Sequence, residues 1–545
     1  MATKKTTKKN SAKAKSASAS KRTQAETPQA DVRDKQREKL TEEVEAMNEA
    51  GIGEPSDTLR VAITFPRALG EIGPTKFTAR MSAAVAEEFV PAPETIERAL
   101  EYLQKNGFVV TNRGQLTASV RCNRKDYEKL FGTVLAPFAQ ASEMPQARLS
   151  ANAVYYPPEG APWNPPAELS GLIDDAYIQW NHIYLNQRFS PTLPSPVPPR
   201  VNYHHLRVDD VVTLLNAAKV HRNGTTGKGV RVAMIDSGFA FGHPYFQERG
   251  YNTSVVLAPG ATHHELDGNG HGTGESANLL AVAPDVTFIG IKLDNEEAPN
   301  NGASVLEGFQ EALRHNPDVV SVSLGYDLCP TNPQTGRRIS NDHLTRLPNG
   351  LRALEAEIAA AVASGIIVVF SAGNGHVSFP GMMPEVISAG GVYVELNGAM
   401  QASDYASAFE SRIYSGRRVP DFCGLVGLAA NHADYIMLPV QSGCEIDRGN
   451  SLHDGTSNND GWGVFSGTSA SAPQLAGVCA LLLEKNPQLA PTEIKSILRR
   501  TCRDVVNGTG NSASNENRGG MPASGGDDGA TGAGLVDAFA AWSQA

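Results

Sequence analysis

The chain contains no run of about eighteen consecutive apolar residues, which excludes a helical membrane span. Cysteine is scarce. The six residues Cys122, Cys329, Cys423, Cys444, Cys479 and Cys502 are scattered and lack metal-ligand spacing. That excludes a zinc scaffold and gives no sign of a disulfide framework. A Cys423–Cys444 bridge is compatible with the chain, but nothing in the spacing requires it. Acid is missing from the first twenty-five residues, and so is any large apolar residue beyond Met1. A stretch of Lys, Ser, Ala and Thr cannot bury a core and is expected to be disordered. It also lacks the apolar run of a secretory signal and the arginine-rich pattern of a transit peptide. A cytoplasmic site is therefore expected, with export by another route left open. The formal net charge of −10 is modest and favours solubility over polyanion binding. Nucleic acid is not an expected partner, although the basic tail could touch an acidic one.

What the chain does have is a serine among small neighbours. Ser469 lies in Phe465-Ser466-Gly467-Thr468-Ser469-Ala470-Ser471-Ala472-Pro473, followed by an apolar helical pattern from Gln474 to Leu483. A nucleophilic hydroxyl needs access, and the oxyanion it creates needs donors; the mouth of a helix offers both. Upstream, Val230 to Ile235 reads as a buried strand ending in Asp236 and the turn Ser237-Gly238. An acid there is well placed to orient a histidine. His271 follows in Asp267-Gly268-Asn269-Gly270-His271-Gly272-Thr273-Gly274, where it opens a helix between glycines. Asp, His, Ser is one of the known chain orders of the serine triad. Taken singly, each segment would more often be a turn, a loop or a cap.

Together these segments resemble the subtilisin-like serine peptidases, the subtilase family. Two further runs carry the resemblance: Val368-Val369-Phe370-Ser371-Ala372-Gly373-Asn374 and Val320-Ser321-Val322-Ser323-Leu324-Gly325. The likeness spans roughly residues 204–545. It implies that Ser469 attacks a scissile carbonyl, that His271 takes and returns the proton, and that Asp236 holds the imidazole. It implies that Asn374 supplies a side-chain donor to the oxyanion hole. It also implies that Ser323, Leu324 and Gly325 form one wall of the first specificity pocket, and Ser371, Ala372 and Gly373 the other. Ser378, before Phe379-Pro380, matches the floor. Small residues there suggest room for a large apolar or aromatic side chain.

Several positions depart from the family pattern. A second histidine is common three residues after the first; here that place is Gly274. Glu275 comes next, one turn beyond His271 and on the same helix face. It can either contact the imidazole or decorate the helix start, where an acid is favourable; the second is the simpler reading. Ala470 and Gln474 stand where many relatives have methionine and histidine. After His243-Pro244, Tyr245 replaces the aspartate of a tight calcium site. No cofactor is expected to be required and no metal ligand is assigned. The loops Asp447 to Asp460 and Asp527-Asp528 could bind calcium weakly, but solvated surface loops are expected. Sedolisins, which use a glutamate base and an oxyanion aspartate, fit less well, since histidine and Asn374 occupy those positions.

The chain divides by composition into a basic tail and linker (1–57), a small α+β domain (58–185), a proline-rich linker (186–203) and a catalytic domain (204–545). In the small domain, Thr58 to Phe65 alternates like a strand. Pro93 to Asn106 has helical spacing, Phe108 to Thr111 and Gln115 to Cys122 read as a hairpin, and Asn123 to Leu130 as a second helix. That order predicts a ferredoxin-like split β-α-β sandwich. The stretch Leu100 to Leu135 resembles sedolisin and subtilase activation prodomains, which implies a zymogen inhibited by its own prodomain and cut near the linker. In the larger part, strands Val230 to Ile235, Val286 to Lys292, Val319 to Leu324, Ile366 to Phe370 and Val386 to Val392 alternate with helices. These include Val211 to Val220, Ser304 to Arg314, Leu351 to Ser364, Pro473 to Glu484, Pro491 to Arg499 and Leu535 to Trp542. This predicts an α/β, three-layer, doubly wound and mostly parallel sheet. Residues 507–531 read as a mobile loop. The expected activity is hydrolysis of peptide bonds in protein or peptide substrates. An esterase or transacylase would share the triad, and an inactive fold that binds peptides or a partner is the alternative.

Overall fold

The computed structural model describes residues 55–68, 81–139, 153–158, 160–184, 206–298, 301–329, 344–395, 397–429, 436–450, 458–513 and 520–545. The basic tail and the proline-rich linker lie outside the described residues.

The first described unit runs β-α-β-β-α-β: strand Thr58–Thr64, helix Pro93–Lys105, strands Val109–Arg113 and Thr117–Asn123, helix Arg124–Phe131 and strand Asp175–Ile178. Its antiparallel sheet has Thr117–Asn123 and Asp175–Ile178 on either side of Thr58–Thr64, with Val109–Arg113 outermost. The last strand carries no period signal of its own in the sequence. Leu59, Val61 and Ile63 point into one apolar core with Leu100, Leu103, Tyr127 and Phe131. Ala62, on the opposite face, packs into a core of the larger unit. Both faces of this sheet are therefore covered, which explains why the strand is more buried than its alternation alone requires.

The larger sheet runs Thr253–Leu257, Thr287–Lys292, Arg231–Asp236, Val319–Val322, Ile367–Ser371, Ile387–Val394, all parallel, then Met400–Ala402 antiparallel. Phe422–Leu425 also pairs with Ile387–Val394. Along Arg231–Asp236, Val232 and Met234 face one core while Ala233 and Ile235 face the other. Helices His271–Val282 and Thr468–Lys485 cover the first face; Val305–Leu313 and Arg352–Ala363 cover the second. This is the three-layer arrangement that strand–helix alternation predicts. Asp236, Ser323 and Ser371 all lie at or just beyond carboxyl ends of parallel strands, where such sheets place their sites.

Some boundaries differ from expectation, with local causes. The helix expected over 211–220 is two helices, Val208–Leu214 and Ala217–Arg222, because Asn216 between them adopts φ +60°. The nucleophile helix begins at Thr468, five residues before Pro473. Pro473 has no N–H for the Ser469 carbonyl. The Ser323 hydroxyl donates to that carbonyl instead, at 2.9 Å. Residues 507–531 are not simply a loop. Thr509–Gly510 pairs with Met521–Pro522, and Asp528 Oδ1 accepts the N–H groups of Ala530 and Thr531 at 2.8 and 2.7 Å.

Candidate active site

His271 opens its helix behind Gly270, whose φ of +93° lets the chain turn sharply into it. A Cβ at Gly272 would lie 2.8 Å from the Asp236 Cβ, so only glycine lets the helix start press on the aspartate strand. The result is a hydrogen bond of 2.6 Å between His271 Nδ1 and Asp236 Oδ1, both fully buried. Burial alone would lower the imidazole pKa. The Asp236 charge and hydrogen bond, with Glu275 and Asp267, outweigh it and raise the pKa to about 9.

The expected strand Val319 to Leu324 breaks at Ser323. Val322 ends the parallel sheet, and Leu324–Asp327 becomes the centre of a separate antiparallel ribbon. On one side Tyr326 and Asp327 pair with Phe379 and Ser378. On the other, Leu324 pairs with Tyr184 and Gly325 with Ile183, both from the end of the first unit. Ser469 stands in the first turn of its helix beside this ribbon; its Oγ donates to the Ser323 carbonyl at 3.0 Å. The Ser469 and His271 helices pack directly against each other. Phe465, four residues before Ser469, sets its ring 6.3 Å from the His271 ring.

Asn374 is held at its carbonyl end. Its Oδ1 accepts from the Thr468 N–H at 2.8 Å and the Thr468 hydroxyl at 3.1 Å, which turns Nδ2 to the opposite side. Thr468 Oγ1 also accepts from Gly373 N–H at 3.0 Å. Ser371, Ala372, Gly373 and Ser378 are all buried and close together: a Cβ at Gly373 would lie 2.9 Å from the Ser378 Cβ. A Cβ at Gly325 would lie 2.5 Å from the Phe379 carbonyl, so Ser378-Phe379 runs between the two walls. The Ser371 and Ser378 hydroxyls are buried with no partner among the described residues.

Sequence reasoning missed several supports. Asp267 is a buried hub that accepts from Ser237 Oγ, Gly270 N–H, Thr273 N–H and Thr273 Oγ1 at 2.6–2.9 Å. It fixes the loop that delivers His271. Tyr405 accepts the N–H groups of Gly427 and Gly467, both at 2.9 Å, and bonds the Ser466 hydroxyl, steadying the turn before Ser469. Asp267 opens the run that carries His271, but its role there was not read; Tyr405 sits in no motif, and only the three-dimensional fold brings it to the site. Gly274 has a cause as well: a side chain there would strike the Phe465 ring, 2.2 Å from a built Cβ. Gln474 bonds both backbone groups of Leu425, at 2.7 and 3.0 Å.

Most described residues of the acid-and-glycine loops are exposed, as expected, but Asp447 and Asp528 are buried. Asp447 is fully buried and accepts Gly443 N–H at 2.8 Å and Gly461 N–H at 3.1 Å. Asp527 pairs with Arg418 and Arg499. Asp447 Oδ1 has no partner among the described residues, and among these no group of three or more His, Cys, Asp or Glu could hold a metal. None of the six cysteines forms a disulfide with another described residue. Burial raises the Cys479 thiol to about 12, as befits a packed and unreactive group. Among the described residues no helix is long and apolar enough to cross a membrane.

The sequence model of the subtilase family, peptidase S8, matches residues 227–528. The chain belongs to the subtilase family. Subtilisin E of Bacillus subtilis strain 168 is 27% identical over 312 residues, a match covering 54% of this chain and 66% of that protein. Serine protease AprX of the same organism is 29% identical over 320 residues, with the same two shares. The chain thus spans slightly under two thirds of the length of these relatives. Fervidolysin from Fervidobacterium pennivorans, a keratinolytic enzyme related to subtilisin, shares the fold. Its TM-score is 0.50 at 16% identity, over 90% of this chain and 62% of its own. In subtilase terms, the departures at Gly274, Glu275 and Tyr245 are local and leave the sheet and the motif order intact.

Proposed function

We propose that this subtilase is a serine endopeptidase made as a zymogen. His271, oriented by Asp236, takes the Ser469 proton as Oγ attacks the carbonyl carbon, then delivers it to the leaving amine. Asn374 Nδ2 and the Ser469 N–H receive the oxyanion. The chemistry requires no cofactor.

The observation that carries this reading is the antiparallel pairing of Ile183–Tyr184 with Leu324–Gly325. An extended stretch of the chain itself lies where a peptide substrate would, one residue from the Ser323 carbonyl that holds Ser469 Oγ. A fold that binds a strand beside a buried Asp–His pair supports peptide hydrolysis over ester hydrolysis. The first unit then acts as inhibitor, docked through buried carboxylates. Glu357 accepts Gln115, Leu116 and Thr117 N–H and the Thr117 hydroxyl at 2.7–3.0 Å. Glu307 accepts the Thr111 hydroxyl at 2.7 Å. His182, beside the seated strand, is half-buried within electrostatic reach of Arg60 and His271. Burial and these cations push its pKa down to about 3, so it stays neutral. The register directs the first cut to the bonds immediately after Tyr184.

Mass spectrometry of the full chain beside its Ser469→Ala form tests this. The wild type is expected to yield two fragments cut just beyond Tyr184 and to label with a fluorophosphonate; the variant should stay whole and unlabelled. A variant that still matures in pure form overturns self-processing. A wild type that neither cuts nor labels supports the alternative, an inactive peptide-binding groove.

A further inference from the structure

Glu275 was expected at a helix surface, yet it is fully buried. It lies one turn after His271 on the same helix, a spacing that brings Cβ atoms to about 5–6 Å. Its Oε2 accepts from Asn278 Nδ2 at 2.8 Å. Its Oε1 has no partner among the described residues, and neither has Asp236 Oδ2. A buried carboxyl with one oxygen unsatisfied is costly and needs a reason. No lysine or arginine faces it. The packed elements offer few charges. The aspartate strand brings Asp236, and the loop before the helix brings Asp267. Strand Ile436–Pro439 has none. Helix Thr468–Lys485 carries only Glu484 and Lys485, at its far end. Helix Val208–Leu214 carries Asp209 and Asp210 in its first turn, and Asp210 is bound to the Arg207 N–H. The one cationic group within reach is the imidazolium that forms on His271.

We propose that Glu275 is a positioning residue for His271: a second buried carboxyl whose ionisation is coupled to the imidazole that handles the serine proton. This rests on the peptidase reading above. Burial favours the neutral acid and raises its pKa to about 8, while the His271 charge opposes that shift. Two groups this close titrate as a pair. When Glu275 is neutral, His271 releases its proton more easily; when Glu275 is ionised, the imidazolium is held. The pair spreads the loss of the imidazole proton over a wider pH range than one carboxylate partner would give. Phe465 packs against the same helix start, with its ring 6.3 Å from the His271 ring and in the space that a side chain at Gly274 would need.

The test is a pair of titrations on the full chain. In the Ser469→Ala background, NMR of 13C-labelled histidine follows His271 Cε1–H with pH, independently of any activity. With Ser469 present, the rate of fluorophosphonate labelling is followed with pH. Glu275→Gln and Glu275→Leu are each expected to move the His271 midpoint down by about half a unit or more and to sharpen it. The acid limb of labelling should move with it, and Glu275→Asp should restore part of the shift. A lower melting temperature with an unmoved His271 midpoint overturns the proposal and leaves Glu275 purely structural. If Glu275→Gln does not fold, the apolar and the shorter variants carry the same comparison. A His271 shift without any labelling of the wild type would sink the peptidase reading and leave the coupling standing.

Discussion

At the scale of the residue, Asn374 is the most exposed of the site's polar groups to a clean test. Thr468 holds its Oδ1 from two directions, so replacing it removes one donor without loosening the turn from the Gly373 side. Asn374→Ala should lower kcat by about 10²- to 10³-fold with KM nearly unchanged, because the donor acts on the oxyanion and not on the resting carbonyl. Steady-state kinetics on a peptide substrate checks this, and a change confined to KM would count against the assignment. Which residues could be read from the sequence follows from where their chemistry is written. Asp236, His271, Ser469 and Asn374 each sit in a short run whose glycines and small side chains are forced by local geometry. Tyr405 does its work through bonds to residues brought close by folding, and a single chain displays no trace of that; Asp267 bonds Gly270 and Thr273 within its own run, but its link to Ser237 is equally hidden. Glu275 was visible, but its burial was not: nothing in the local string says that the fold encloses it fully.

At the scale of the element, strand ends were harder to read than strand middles. The apolar run from Val319 to Leu324 looks continuous, yet it changes sheets at Ser323, where the carbonyl meets Ser469 and the hydroxyl meets the carbonyl left open by Pro473. Edge strand Thr253–Leu257 and the final strand of the first unit, Asp175–Ile178, lack an alternation strong enough to stand out from their flanks. The two helices of the site pack closely at Gly477, where a Cβ would lie 2.8 Å from Val282 Cβ and 3.1 Å from the Leu279 carbonyl. Alanine there gains about 1 kcal/mol of helix propensity. The overpacking it forces costs about 1–3 kcal/mol, and a backbone carbonyl cannot step aside. Gly477→Ala should therefore lower stability by about 1 kcal/mol net, and Gly477→Leu by distinctly more. Denaturant unfolding of the Ser469→Ala background checks both, and a stabilised alanine variant would mean that the helices part at little cost.

At the scale of the whole molecule, the join between the two units combines buried polar contacts with apolar ones. Helix Val305–Leu313 offers Glu307 and Gln310, and helix Arg352–Ala363 offers Glu357, to the sheet formed by Thr111, Thr117, Ser119 and Arg121. A Cβ at Gly114 would lie 2.2 Å from Glu357 Oε1, so the turn is shaped to receive the carboxylate. Beside it Met81, Ala86 and Leu116 pack on Ala356, Ala359 and Ala360, so separation also exposes apolar surface. Glu357→Ala should weaken docking by about 2 kcal/mol, about thirty-fold. It would show as activity appearing earlier after the first cut, in a time course that follows both fragments and turnover.

The strand Ile183–Tyr184 is tied by its own backbone to the domain that would cleave it. An encounter between separate molecules slows on dilution, whereas a bond already seated does not have to wait for a partner. Maturation should then follow first-order kinetics with one half-life across a hundredfold range of enzyme concentration. The chain would carry its own clock, started by folding and indifferent to crowding.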